Sequence, residues 1–156
     1  MDEAGIAPER AEFLRSDYHR GFIAYVGYRA TSFSRGRCES RLDVEERHRQ
    51  QDGFVHAGVM AAMADHTAGY AAFTLAPEGV QILTIEFKIN FLRPAAGQVL
   101  VCRSRIVREG RSIVVGQSEV FAQNGGCEKM VALATVTMTP VPASTLAAGG
   151  GNREEP

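Results

Sequence analysis

The most apolar helical stretch of the chain, residues 55–74, carries one acidic side chain, Asp65. Its helical neighbours are Ala61 and Ala62 one turn before, and Ala68 and Gly69 one turn after. A helix face this poor in side-chain volume lets another segment or a ligand approach the backbone closely. A carboxylate set there is costly to bury unless it is paired, hydrogen-bonded or used. Carboxylates in such surroundings are often functional.

The hydrophobic period changes on either side of this helix. Pro8 followed by Glu9 to Arg15 predicts a short leading helix with proline in its first turn. Phe22 to Tyr28 is β-rich and Arg37 to Val44 alternates, with Ser32, Ser34 and Gly36 between them, which predicts a hairpin. A polar loop, Glu45 to Gly53, leads into the central helix, expected over roughly 56–75 and stopped by Pro77, Glu78 and Gly79. Beyond it, Leu83, Ile85, Phe87, Ile89 and Phe91 alternate with Thr84, Glu86, Lys88 and Asn90. That pattern predicts a strand over 81–91 with one buried and one wetter face. After a turn at Arg93–Gly97, strands are expected over 98–108, 112–122 and 127–139. Short connections make consecutive strands antiparallel neighbours. The expected fold class is α+β, an antiparallel sheet of about six strands wrapped around one long central helix. Residues 1–19 form the leader helix, 20–140 the domain, and 141–156 a tail that is disordered on composition. Exposed sheet edges predict dimerisation.

Composition narrows the function classes. A chain of 156 residues that is 45% hydrophobic can bury a single core. Lys+Arg 17 against Asp+Glu 18, spread without a basic block, argues against nucleic-acid binding. Cys38, Cys102 and Cys127 show no CxxC spacing, which suits reduced thiols in a cytoplasmic protein better than disulfides or a zinc site. His48, His56, Asp65 and His66 match no metal-ligand spacing. No secretory leader is read, and the apolar stretch is too short to span a membrane.

One segment carries a family likeness. His48-Arg-Gln-Gln-Asp-Gly-Phe-Val-His-Ala-Gly58, followed by Asp65, resembles the hotdog-fold acyl-CoA thioesterases of the phenylacetate-pathway (PaaI-like) type. Their pattern is His-x-Asn-x-x-Gly-x-x-His-Gly-Gly, with an acid nine residues after the second histidine. His48, Gly53, His56, Gly58 and Asp65 fall in register, while Gln50 replaces the asparagine and Ala57 the first glycine. Phe91-Leu-Arg-Pro94 and Arg108-Glu-Gly-Arg111 are also similar to that family, and the likeness spans roughly residues 20–139.

The resemblance implies hydrolysis of acyl- or aryl-CoA thioesters. Asp65 would act as general base or nucleophile, and the Ala57 and Gly58 N–H groups would receive the oxyanion. Gln50 would position the water or the carbonyl, and Thr84 would assist the acid. His56 is expected to fix the loop-to-helix turn, with a direct catalytic part as the alternative, and His66, about 100° around the helix from Asp65, to serve in packing or at an interface. Arg93, Arg108 and Arg111 are candidates to hold the phosphates of coenzyme A, which belongs to the substrate; no cofactor is implied. The expected assembly is a homodimer or homotetramer with sites at the subunit interface. Alternatives on the same fold are an acyl-thioester dehydratase and a non-catalytic acyl-CoA-binding protein.

Overall fold

The computed structural model describes residues 5–149. Helices α1 (Pro8–Tyr18) and α2 (Gly21–Val26) precede the hairpin of β1 (Arg29–Ser34) and β2 (Arg37–Asp43). A short 3₁₀ turn, Glu46–His48, leads to the central helix α3 (Ala57–Phe73). Then come β3 (Val80–Phe91), β4 (Val99–Glu109), β5 (Val114–Asn124), β6 (Cys127–Pro142) and α4 (Ala143–Gly149). The strands form one sheet of six in the order β1-β2-β4-β5-β6-β3, and every neighbouring pair is antiparallel. This is the hotdog arrangement, with the sheet folded about α3.

Four expectations are corrected. Residues 22–26 are helical, not a strand, because the turn ends on Gly27 at φ +100°, and Gly27 and Tyr28 both return their N–H groups to the Ile23 carbonyl. That glycine-ended cap outweighs the β-rich composition. Second, β3 and β4 are not neighbours; β3 pairs with β6 instead. The connection 92–98 reaches up to ~23 Å when extended, while the three strand spacings it must cross total ~14 Å. Third, a bulge between Thr84 and Glu86 breaks the expected alternation of β3: Leu83 is 41%, Ile85 54%, Phe87 40% and Phe91 46% exposed within the chain, while Ile89 is part-buried against the core. Fourth, β6 continues to Pro142 and α4 follows it, with the Ala143 N–H bonded to the Gly79 carbonyl at 2.7 Å. Of the expected tail, 150–156 lie outside the described residues, as do 1–4 of the leader.

The core explains how α3 is held. Met63, Ala64, Ala68 and Ala71 are fully buried against sheet residues such as Leu100, Val120, Val136 and Met138. At Gly116 on β5 a Cβ would sit 3.1 Å from Met138 Cε and 3.3 Å from Ile106 Cδ1, so the missing side chain leaves room for those two side chains beneath the helix. A buried polar seam crosses the apolar contact. Thr67 Oγ1 donates to the Met63 carbonyl at 2.6 Å and also meets Ser40 Oγ at 2.7 Å and Tyr18 OH at 3.2 Å. Ser118 Oγ donates to the Ala64 carbonyl at 2.8 Å and meets Ser104 Oγ at 2.7 Å. One threonine hydroxyl thus joins α1, α3 and β2. Thr67→Val keeps the shape but strands two buried hydroxyls, and it is expected to lower the unfolding free energy by about 2 kcal/mol. The check is the urea midpoint at unchanged m-value.

Candidate active site

Two regions of α3 gather the residues singled out by the sequence. The first is mid-helix. Asp65 is half-buried, and Thr84 Oγ1, on β3, donates to its Oδ1 at 2.8 Å. The sequence separates these residues widely; the helix-to-strand packing brings them together. They line a cavity of about 240 Å³ with Asp17, His66, Gly69 and Tyr70. His66 Nε2 donates to the Tyr18 carbonyl at 3.1 Å, which leaves Nδ1 as the bare nitrogen of a neutral ring. Its ring packs against Tyr18 and Tyr70, with centroids 4.4 Å and 4.9 Å away. Burial pushes the His66 pKa below the ordinary histidine value, against the opposing pull of the Tyr18 carbonyl and of the Asp65 and Asp17 charges. Tyr70 OH donates to Asp17 Oδ2 at 2.8 Å, and burial, then this bond, raises its phenol pKa.

The second region is the start of α3. His56 is its N-cap, and His56 Nδ1 accepts the Gly58 N–H at 2.9 Å. The turn-fixing role expected of His56 is therefore its observed contact. The same bond occupies the Gly58 amide that was expected to face an oxyanion. Ala57, the first helical residue, has no acceptor for its N–H within the helix, and it lies at the positive end of the helix dipole. Ala57 lines an open depression of about 510 Å³ together with Gln50, Met60 and Arg93. Gln50, Ala57 and Arg93 thus line one depression.

The loops around this depression are tied to one another. His48 is buried; its Nδ1 accepts the Glu45 N–H at 2.9 Å and its Nε2 donates to the Val26 carbonyl at 2.8 Å. Arg49 donates to the Gly53 and Gly97 carbonyls, at 2.8 Å and 3.2 Å, and the Val55 N–H bonds the Ala95 carbonyl at 3.0 Å. Arg49 was not singled out, because in sequence it is one more charge in a polar loop.

The two regions do not meet within one chain. Asp65 lies eight residues beyond Ala57, which is about 12 Å along the helix axis. The three arginines separate as well. Arg93 is at the start of α3, whereas Arg111 borders a groove near its end with Ala72 and Leu75, and Arg108 lies on the adjoining end of β4. Among the described residues no three of His, Cys, Asp and Glu cluster as metal ligands. No helix there is long and apolar enough to cross a membrane.

Thioesterases share this fold. The thioesterase superfamily pattern matches residues 52–129, from the loop before α3 to β6, and the chain belongs to that superfamily. A thioesterase family protein from Silicibacter pomeroyi is 35% identical, with a TM-score of 0.80 over 83% of this chain and 96% of its own. A Halobacterium salinarum protein provisionally named an esterase is 29% identical over 121 residues, 73% of this chain and 79% of its own. A Bacillus halodurans protein solved with CoA is 25% identical, with a TM-score of 0.62 over 66% of each chain.

A pH dependence follows from His66. Its pKa is lower in the folded state, so the unfolded chain binds a proton that the folded chain resists. This contribution is fully present above the unfolded value near ~6.5, and stability falls as the pH drops through that value toward the folded one. His66→Gln keeps a donor for Tyr18. It is expected to lose less unfolding free energy than the parent between about pH 7.5 and about pH 5.5, measured by denaturant titration at each pH.

Proposed function

We propose that the protein hydrolyses acyl- or aryl-CoA thioesters, with Asp65 of one subunit and the α3 N-terminus of another flanking the scissile carbonyl. The observation that carries this is the Asp65–Thr84 pair, held by a hydrogen bond in a cavity beside an uncovered apolar strand. Membership of the thioesterase superfamily supports the reaction class. The Bacillus halodurans relative solved with CoA supports CoA as the leaving group.

The chemistry divides between the two regions. The Asp65 carboxylate takes a proton from water as the water oxygen attacks the thioester carbon, and Thr84 Oγ1 orients the carboxylate. The carbonyl oxygen becomes an alkoxide, received by the Ala57 N–H at the helix end; such a donor is worth on the order of 3 kcal/mol in the transition state. The Gly58 N–H joins it when the His56 ring turns away. The carbon–sulfur bond then breaks, and the thiolate takes the proton back from Asp65, giving free acid and CoA. Asp65 attacking the carbon directly, through an anhydride, uses the same geometry. Gln50, beside Ala57, orients the carbonyl or the water.

A second subunit closes the gap of about 12 Å along α3. Strand β3 lies at an end of the sheet and exposes Leu83, Ile85, Phe87 and Phe91. Pairing two such edges about a dyad covers these side chains and sets the two central helices side by side. Arg93 on one subunit, with Arg108 and Arg111 on the other, would then frame the CoA phosphates.

Two measurements test the reading. Asp65→Ala is expected to unfold at the parental midpoint yet to lower kcat for thiol release from CoA esters about 1000-fold or more; near-parental kcat would eliminate the mechanism. Light scattering is expected to give at least twice the 16.9 kDa chain mass. An active monomer would contradict the shared site.

A further inference from the structure

The depression at the start of α3 is walled on one side by a small hairpin that carries Gln50. Arg49 and Val55 bridge its two arms, the Gln50 N–H bonds the Phe54 carbonyl at 2.8 Å, and the His56 N–H bonds the His48 carbonyl at 2.9 Å. The Gly53 N–H closes the tip on the Gln50 carbonyl at 2.9 Å, with Gly53 at φ +81°, a conformation open to glycine. The tip, residues 51–54, is exposed. Below it, the Val55 N–H meets the Ala95 carbonyl of the connection 92–98. One such bond fixes a distance but leaves the tip free to rock about it.

Arg49 supplies a second attachment. It is half-buried, and its guanidinium forks between the hairpin and the connection. Nη1 donates to the Gly53 carbonyl at 2.8 Å and Nη2 to the Gly97 carbonyl at 3.2 Å. Gly97 is itself pressed onto β5: a Cβ there would lie 2.7 Å from the Gln123 carbonyl oxygen, which also accepts the Gln98 N–H at 3.0 Å. The fork thus refers the hairpin tip to a point fixed on the sheet. A planar guanidinium holds two acceptors at a set spacing, whereas an ammonium is a single point of charge.

Resting on the thioesterase reading above, we propose that Arg49 is a positioning residue that holds the hairpin, and with it Gln50, at the angle the thioester needs beside the Ala57 N–H. Arg49 meets no reacting atom; it acts through Gln50. Without the fork the hairpin keeps its own backbone bonds and its bond to Ala95, so the fold persists while the tip rocks. A displacement of the order of 1 Å at a group that orients a reactant is enough to slow the chemical step.

The test is a double-variant cycle read by thiol release, on whichever of acetyl-, phenylacetyl- and palmitoyl-CoA the parent cleaves fastest. Arg49→Ala and Gln50→Ala are each expected to lower kcat on the order of 10- to 100-fold. Combining them is expected to cost less than about 2-fold beyond Gln50→Ala alone, because the two changes remove one effect. Arg49→Lys, which reaches one carbonyl at a time, recovers part of kcat, and it supplies the cycle if Arg49→Ala does not fold. A merely structural role would instead slow the enzyme equally with and without Gln50. Additive losses, a parental kcat in Arg49→Ala, or a raised KM at unchanged kcat overturns the positioning role and leaves the hydrolase reading standing. No thiol release from any of the three esters by the folded parent overturns both.

Discussion

The hydrogen bond from Ser118 Oγ to the Ala64 carbonyl fixes the central helix to the sheet one residue before Asp65. Beside it, Gly116 leaves room for Met138 Cε and Ile106 Cδ1 beneath the Ala68 turn. Between them these contacts set both the depth and the rotation of α3. The carboxylate faces Thr84 only because the opposite side of the same turn is locked against Ser118. The place of the Asp65 carboxylate beside Thr84 thus rests on a buried serine that holds the other side of the helix.

Much of this architecture is legible in the sequence, for reasons particular residues make plain. The Ala-rich run ending before Pro77 and the alternation from Leu83 to Phe91 announce α3 and β3, since side-chain period follows directly from backbone geometry. The strand partners are less legible. Nothing in Arg93–Gly97 distinguishes a tight turn from a crossover, because Pro94 and Gly97 mark a loop of either kind; the difference lies in the pairing of β3 with β6. The Phe22–Tyr28 segment misleads because its aromatic and branched residues suit either state, and Gly27 decides. Alternation along β3 also cannot say whether the chain itself covers the apolar side.

The site shows the same division. Asp65 and Thr84 fall in one cluster and Gln50, Ala57 and Arg93 in another. The capture of the Gly58 amide by His56 was not legible, since the direction of an imidazole ring is a torsion rather than a spacing. Asp17 escaped notice because a carboxylate in a leading helix reads as a solvated charge until Tyr70, far along the chain, is seen to donate to it. The sequence leaves open which of Arg93, Arg108 and Arg111 would meet phosphate, and a helix of 17 residues separates Arg93 from the other two.

The last turn of α1 makes three attachments to α3 through two consecutive residues. Tyr18 offers its hydroxyl to Thr67 and its carbonyl to His66, and Asp17 receives Tyr70. A segment that ordinarily tolerates fusion and drift is therefore bolted to the interior. A change of one side chain in this outer helix is therefore felt along the stretch of α3 that carries Asp65.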